Sequence, residues 1–396
     1  MSKIHLKEEH LIVAIIALQS LYYAIANLYD GVLILYFACY MCGVFAYFLL
    51  LRRKPAIFAT IIFVLLFAIL YAVMINEGLW DFVFDGSSLY AFSTSKLTLL
   101  LFVHLPVLLL CLTKKLDYDC LVNAFYKWAL PLLVLDILVV IVRIQRGINQ
   151  LDYMTIAYQL LLWTAFCVIG AVKNQKKWPF FLVAVSSLLI ITGGSRGAFI
   201  CLICLFIMLY ARWTFFGGHD GASKKLGVHA FLIILCLLLV INFNTIIEYL
   251  LTNVQIGSNN SRVLTMIQNE ELLVSGDRLS IADEILPHLF DHIFGFGIFG
   301  DRFITNNEYY AHNLVLEILV QFGIVGLLIC IYLVVLIVKS IKIVHRQQML
   351  SAQLLLALSL MLIVKYMFSG SYLLSSEIML SIGIMYNIST KSFDNS

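Results

Sequence analysis

Residues 56–75 read AIFATIIFVLLFAILYAVMI, twenty consecutive positions without a charge, between Arg52-Arg53-Lys54-Pro55 and Asn76-Glu77. A helix of about 20 apolar residues crosses a bilayer core of about 30 Å. The same alternation of long apolar run and short charged cluster continues in both directions. Apolar windows fall near 11–29, 31–51, 56–75, 95–112, 121–142, 154–172, 178–192, 197–216, 228–250, 312–338, 352–368 and 375–389. The runs near 178–192 and 375–389 are short. The first run is followed by no small-residue cleavage site and is read as a retained span. The expected fold is all-α: a polytopic integral membrane protein with about twelve transmembrane helices and one long external loop.

Composition excludes the other classes. Of 396 residues 62% are hydrophobic and 12% charged, where a soluble domain runs near half apolar and a quarter charged. Five prolines and 22 glycines exclude a fibrous or disordered chain. Cys39/Cys42 and Cys201/Cys204 have the spacing of a metal or redox pair, but each pair sits within an apolar run without a second pair nearby. They read as small core residues.

Lys and Arg gather on the cytoplasmic side of membrane proteins. With the N-terminus inside, seventeen of the 26 Lys and Arg fall on that side, seven outside, and Lys127 and Lys365 within spans. Both termini are therefore expected in the cytoplasm. Four of the seventeen inner cations are Arg, whereas six of the seven outer ones are: Arg143, Arg146, Arg196, Arg262, Arg278 and Arg302. Topology is indifferent to this choice. The planar guanidinium fork matches phosphate and carboxylate oxygens and keeps its charge, so the outer face reads as prepared for an anion. Pairing with outer acidic residues is the competing explanation for any one of them.

The chain divides into 1–250, a membrane bundle of about nine spans; 251–311, a long external loop; and 312–396, the C-terminal spans, all in one integrated domain. Within the loop, Ile281, Ile285, Leu289 and Ile293 recur at helical spacing beside Leu286, Phe290 and Phe294, with Asp283, Glu284, His288 and Asp291 largely between them. The pattern predicts an amphipathic helix on the membrane surface or against the bundle, bent or interrupted at Pro287.

Two motif matches mislead. Gly295-Phe-Gly297-Ile-Phe-Gly300 fits a dinucleotide fingerprint by letter, but no strand precedes it; it reads as a tight apolar re-entry. Gly193-Gly-Ser195-Arg-Gly197 fits a nucleophile elbow, which needs a strand–turn–helix, whereas here it joins two spans. Read as a helix start it means more: free N–H groups and the positive end of the dipole open outward just after Ser195-Arg196. The span beginning near Ala311-His312-Asn313 has the same polarity. A phosphate or pyrophosphate is the expected guest. His312 can accept a proton near neutral pH, although a capping or packing role fits its position equally well. Glu317, inside the apolar run, requires a partner or a wet cavity. Lys127, Asp136 and Lys365 carry that argument more weakly, since ion pairs within a bundle would explain them.

The combination of Gly194-Ser-Arg196-Gly197-Ala, Gly276-Asp-Arg278 leading into Ile285-Leu-Pro-His-Leu-Phe-Asp-His-Ile-Phe-Gly-Phe-Gly297, and His312-Asn313-Leu-Val-Leu-Glu317-Ile-Leu-Val-Gln-Phe-Gly323-Ile-Val-Gly326 resembles the O-antigen polymerase and O-antigen ligase superfamily. The resemblance covers about residues 190–330. It implies a glycosyltransferase of the C type in the bacterial inner membrane, acting on undecaprenyl-diphosphate-linked oligosaccharide at the periplasmic face. It also implies that Arg196, Arg278 and His312 are the catalytic residues, binding the donor diphosphate and assisting the acceptor hydroxyl. Ser195, Asn313 and Glu317 are expected to contact substrate, and Arg262 and Arg302 join them on charge and side alone.

The activity expected is polymerisation of a surface polysaccharide, inverting and without a metal or other cofactor, since the diphosphate is already a good leaving group. Ligation to lipopolysaccharide core is the alternative, and transport or flipping the alternative of another class. Besides the bilayer and the lipid-linked glycan, a chain-length regulator and a flippase are candidate partners; nucleic acid is not.

Overall fold

The computed structural model describes residues 7–26, 33–75, 96–145, 153–192, 195–216, 276–289, 291–305 and 310–391. Among these there are helices and turns but no strand. The helices are α1 (Glu8–Ala26), α2 (Leu33–Arg53), α3 (Pro55–Ile75) and α4 (Lys96–Thr113), the last with a π turn at Leu100–His104. They continue with α5 (Tyr118–Gln145), α6 (Tyr153–Lys173), α7 (Pro179–Thr192) and α8 (Arg196–Phe216). After them come α9 (Gly276–Ile285), α10 (Gly300–Ile304), α11 (Leu314–Gln347), α12 (Leu350–Phe368) and α13 (Ser376–Lys391).

Eight of these are long and apolar enough to cross a membrane, and the chain is an all-α polytopic membrane protein. The ninth expected span, near 228–250, lies outside the described residues, as do Arg146 and Arg262. The other expected spans each hold a helix, and the two short ones are α7 and α13. Side chains such as Phe63 and Phe67 on α3 stay largely exposed, as a lipid-facing surface requires. Every described cysteine is free.

The chain forms two compact units. One comprises residues 125–274 and 348–357. Here α6 packs against α7 and α8, with Trp163 and Phe166 fully buried and the Phe125 and Phe166 rings stacked at 3.8 Å. Asp136 accepts from Gln159 Nε2 at 2.8 Å, which answers the need of a mid-span carboxylate for a partner.

The other unit holds residues 1–124, 275–347 and 358–396. In it α13 packs on α4 and α11. Asn387 of α13 satisfies the C-terminal end of α4: its Nδ2 donates to Cys111 O at 2.9 Å, and its Oδ1 accepts from Leu116 N at 3.0 Å. Lys365 is ion-paired with Glu377, the structural role that the apolar setting suggested for it.

One expectation is met and another needs correction. The amphipathic helix is interrupted at Pro287, as expected, and does not resume toward Phe294. It ends at Ile285, and Pro287 sits in a 3-10 turn, Leu286–His288, because proline cannot donate to the preceding turn. Ile281 and Ile285 are buried, while Ile293 and Phe294 are exposed.

The span beginning at His312 is not continuous either. A regular helix of 34 residues would be about 51 Å long. Instead Gly323 leaves helical geometry, at φ 53° and ψ −126°, and separates a short segment, 314–322, from a long one, 324–347. The freed carbonyls of Val320 and Gln321 accept from Phe296 N and Gly297 N at 2.8 and 2.9 Å, and Ile324 N donates to Ile293 O at 2.9 Å. The re-entry loop thus replaces bonds the helix lacks. Broken backbone at membrane depth persists only when buried protein satisfies it in this way.

A Cβ on Gly323 would lie 2.1 Å from Ile293 O. In an unbroken helix Gly→Ala stabilises by up to about 1 kcal/mol. Gly323→Ala is expected to destabilise by about 1–3 kcal/mol, read as a lowered unfolding midpoint of the purified chain in detergent.

Candidate functional site

The site grows from the short segment of α11. Asn313 caps it, its Oδ1 accepting from Val315 N and Leu316 N at 3.0 and 3.1 Å, as a good N-cap residue does. His312 precedes the cap in the left-handed region, at φ 51°, and is half-buried. Its ring meets that of Tyr310 at 3.7 Å between centroids. Over the same tyrosine lies the guanidinium of Arg302, 5.0 Å from the ring centre, a cation–π distance. Arg302, Tyr310 and His312 therefore form one row beside the positive end of a helix. Guanidinium, imidazole and dipole all favour an anion at that place.

Beneath the row lies a closed polar network. Asp301, Glu317 and Gln321 are each fully buried. Asp301 Oδ2 accepts from Ala311 N at 3.1 Å, fixing the residue before His312, and Asp301 Oδ1 accepts from Gln321 Nε2 at 2.8 Å. Gln321 Nε2 also lies 3.4 Å from Glu317 Oε1, and Gln321 Oε1 accepts from Tyr372 OH at 2.7 Å. Glu317 accepts in addition from Ser371 Oγ and from Tyr372 N. The Tyr310 hydroxyl accepts from Gly370 N at 3.0 Å.

Burial raises the Asp301 carboxyl above the ordinary range, opposed by the Gln321 bond, the Arg302 charge and the Ala311 amide. Burial, and then the neighbouring Glu317 and Asp301, drive the Tyr372 hydroxyl well above its usual value. Among the described residues no group of three or more His, Cys, Asp or Glu is placed to hold a metal ion.

Arg302 and His312 are thus brought together, with Asn313 as the cap between His312 and the helix and Glu317 acting from below, away from the accessible face. Arg278 is the third residue of α9. That helix docks through Ile281 and Ile285 onto a cluster containing Phe296, Ala311 and Val320, so it rests on the turn that carries His312.

Ser195 and Arg196 belong to the other unit. Ser195 is buried and precedes α8 as its cap, its carbonyl accepting from Phe199 N at 3.1 Å and its Oγ from Ala198 N at 3.4 Å. Arg196, half-buried, is the first residue of that helix. Gly197 lies against the Tyr158 hydroxyl so closely that a Cβ would stand 1.9 Å from it.

The sequence reading missed Tyr310, Asp301, Gln321, Ser371 and Tyr372. The pairing of Glu317 with Gln321 one helical turn on was the one local signal available.

These features define a polytopic membrane protein with a row of anion-receptive side chains at the start of a broken helix. The O-antigen ligase family matches residues 181–331, a stretch that contains Arg196, Arg278, Arg302 and His312. The match spans less than half of the chain, and over that stretch the protein is similar to the superfamily of O-antigen ligases and polymerases. No curated protein and no solved structure matches it.

Asp301 should reveal itself through pH. Because its folded pKa is raised, its contribution to stability is full below the ordinary carboxylate range and declines as pH rises through the raised value. Asp301→Asn keeps one acceptor of two and is expected to cost about 1–3 kcal/mol. It should also remove that part of the pH dependence in detergent unfolding measurements.

Proposed function

We propose that the protein polymerises a surface polysaccharide at the periplasmic face of a bacterial inner membrane. The donor is a glycan chain on undecaprenyl diphosphate, and the acceptor is the terminal sugar of another lipid-linked repeat unit. The acceptor hydroxyl oxygen attacks the anomeric carbon and the bond from that carbon to the diphosphate oxygen breaks. Undecaprenyl diphosphate leaves with the electron pair, with inversion at the anomeric centre. The hydroxyl proton passes to His312.

The observation that carries this reading is the row of Arg302, Tyr310 and His312 at the N-terminus of the short α11 segment. Arg302 is assigned to the diphosphate, and so are the motif arginines Arg278 and Arg196, with Arg262 supporting them on charge. Tyr310 holds the guanidinium and the imidazole at a fixed spacing, and Asp301 fixes the turn. Charge-assisted contacts contribute roughly 1.5–3 kcal/mol each, about ten- to a hundredfold in rate where they strengthen in the transition state. The diphosphate needs no further activation as a leaving group, so no metal is required.

Ligation to lipopolysaccharide core would use the same donor chemistry. Transport is the reading that the break in α11 could favour, but transporters pair such breaks in two halves of the chain. Among the described helices no second one corresponds to it.

Purified protein in lipid discs, given a lipid-linked repeat unit without added divalent metal, is expected to build a ladder of longer products. His312→Ala and Arg302→Ala should slow it about ten- to a hundredfold, and Arg302→Lys, which keeps charge without the fork, should recover only part. Full activity in all three variants would refute the assignment. Loss of the gene should leave single repeat units attached to the lipopolysaccharide core; long unattached chains would instead mark a ligase.

A further inference from the structure

Far along the chain from the His312 turn, α2 and α4, with Glu8 of α1, line a cavity of about 160 Å³. Its size is close to an engineered cavity of about 150 Å³ that holds benzene. Arg53, Lys54 and Lys114 stand at its rim with Glu8. Glu8 is almost wholly buried, and its carboxylate is ion-paired with both Arg53 and Lys114. Three cationic side chains and one carboxylate thus line the cavity, and the charge of its lining is net positive. Lys54 makes no side-chain hydrogen bond or ion pair among the described residues, only backbone bonds to Leu50 and Phe58. One residue beyond it, Pro55 opens α3, whose positive dipole end adds to the rim.

Below the rim the walls turn apolar. Ala46, Leu49 and Leu50 of α2 face Pro106, Leu109 and Leu110 of α4 across the cavity. On the outer side of α2, Phe48 and Leu51 are exposed, and the rim marks the level at which the apolar runs end in Arg52-Arg53-Lys54 and Lys114-Lys115. A cationic rim at the end of apolar helices, above an apolar wall, suits an amphiphile with a negative head.

We infer that this cavity binds an anionic phospholipid, its phosphate held by Lys54 with Arg53 and Lys114 and the start of its acyl chain against Leu49 and Leu109. The Glu8 carboxylate holds two of the cations at the rim in the absence of lipid. A free phosphate ion offers the same head chemistry but would leave the apolar wall without a function, so the lipid is the occupant the site fits.

The test is native mass spectrometry of the full chain in detergent, titrated with phosphatidylglycerol, phosphatidylcholine or inorganic phosphate. Wild type is expected to retain phosphatidylglycerol in preference to phosphatidylcholine. Lys54→Glu breaks no side-chain bond and should cut that retention about tenfold or more, at about 1 kcal/mol for each cation near an anionic lipid. Lys115→Glu, the same charge change at an exposed neighbour off the cavity wall, should leave it within about twofold. Leu49→Trp, which fills the apolar wall, should lower phosphatidylglycerol retention while Lys54 is intact. Equal retention in wild type and Lys54→Glu would overturn the inference. So would equal losses in the Lys54 and Lys115 variants, which would mean diffuse surface charge, or full displacement by millimolar phosphate, which would mean an ion site.

Discussion

The break at Gly323 is the constraint on which the rest of this architecture turns. A helix interrupted at membrane depth exposes carbonyl and amide groups that no lipid can satisfy, at a cost of several kcal/mol for each group left alone. The loop from Ile293 to Gly297 meets that demand by bonding to Val320, Gln321 and Ile324. Because the bonds are reciprocal, the loop fixes the short segment of α11 as much as the helix fixes the loop. Tyr71 of α3 adds a third hold, donating to Gly295 O at 2.9 Å.

That fixation reaches the chemistry through a few intermediates. The short segment carries Asn313 at its cap and Glu317 and Gln321 on its buried face. Leaving the loop, the chain enters α10 through Phe299 in the left-handed region, which sets Asp301 against Ala311 and Gln321, and Arg302 against Tyr310. A buried acid pair is expensive unless fully bonded, and here amides, hydroxyls and a nearby guanidinium share the load. The row above it then has little freedom, and the proposed stabilisation of charge on a leaving diphosphate benefits from groups that need not reorganise. The resemblance in sequence and the family match over residues 181–331 converge on this same region.

Much of the fold was legible beforehand because each membrane helix announces itself locally. The run at 56–75 became α3 with its boundaries nearly unchanged, and the cluster Arg52-Arg53-Lys54 marks where α2 stops and α3 begins. The interruption of α11 was not legible. Glycine is common in membrane helices, and Phe-Gly323-Ile-Val-Gly326 shows no change of polarity; the partners that make the break tolerable lie some 25 residues earlier. In the same way Gly295 and Gly297 could be read as a re-entry, but nothing local says that they bond to Val320 and Gln321. Arg302 drew attention only through its charge and its side of the membrane, and Tyr310, which joins it to His312, gave no signal in a polar stretch of the loop. Periodicity reports which face is apolar; it is silent on which distant backbone group completes a hydrogen bond.

The most direct test of the account is hydrogen exchange at the amides of Phe296 and Gly297 in the intact protein, resolved on peptides spanning the loop. If these N–H groups are bonded to the freed carbonyls of α11, they exchange as slowly as the neighbouring helix, by several orders of magnitude relative to an open turn. Exchange at the rate of an unstructured peptide would mean that the loop does not hold the broken helix, and the geometry of the His312 turn would lose its support.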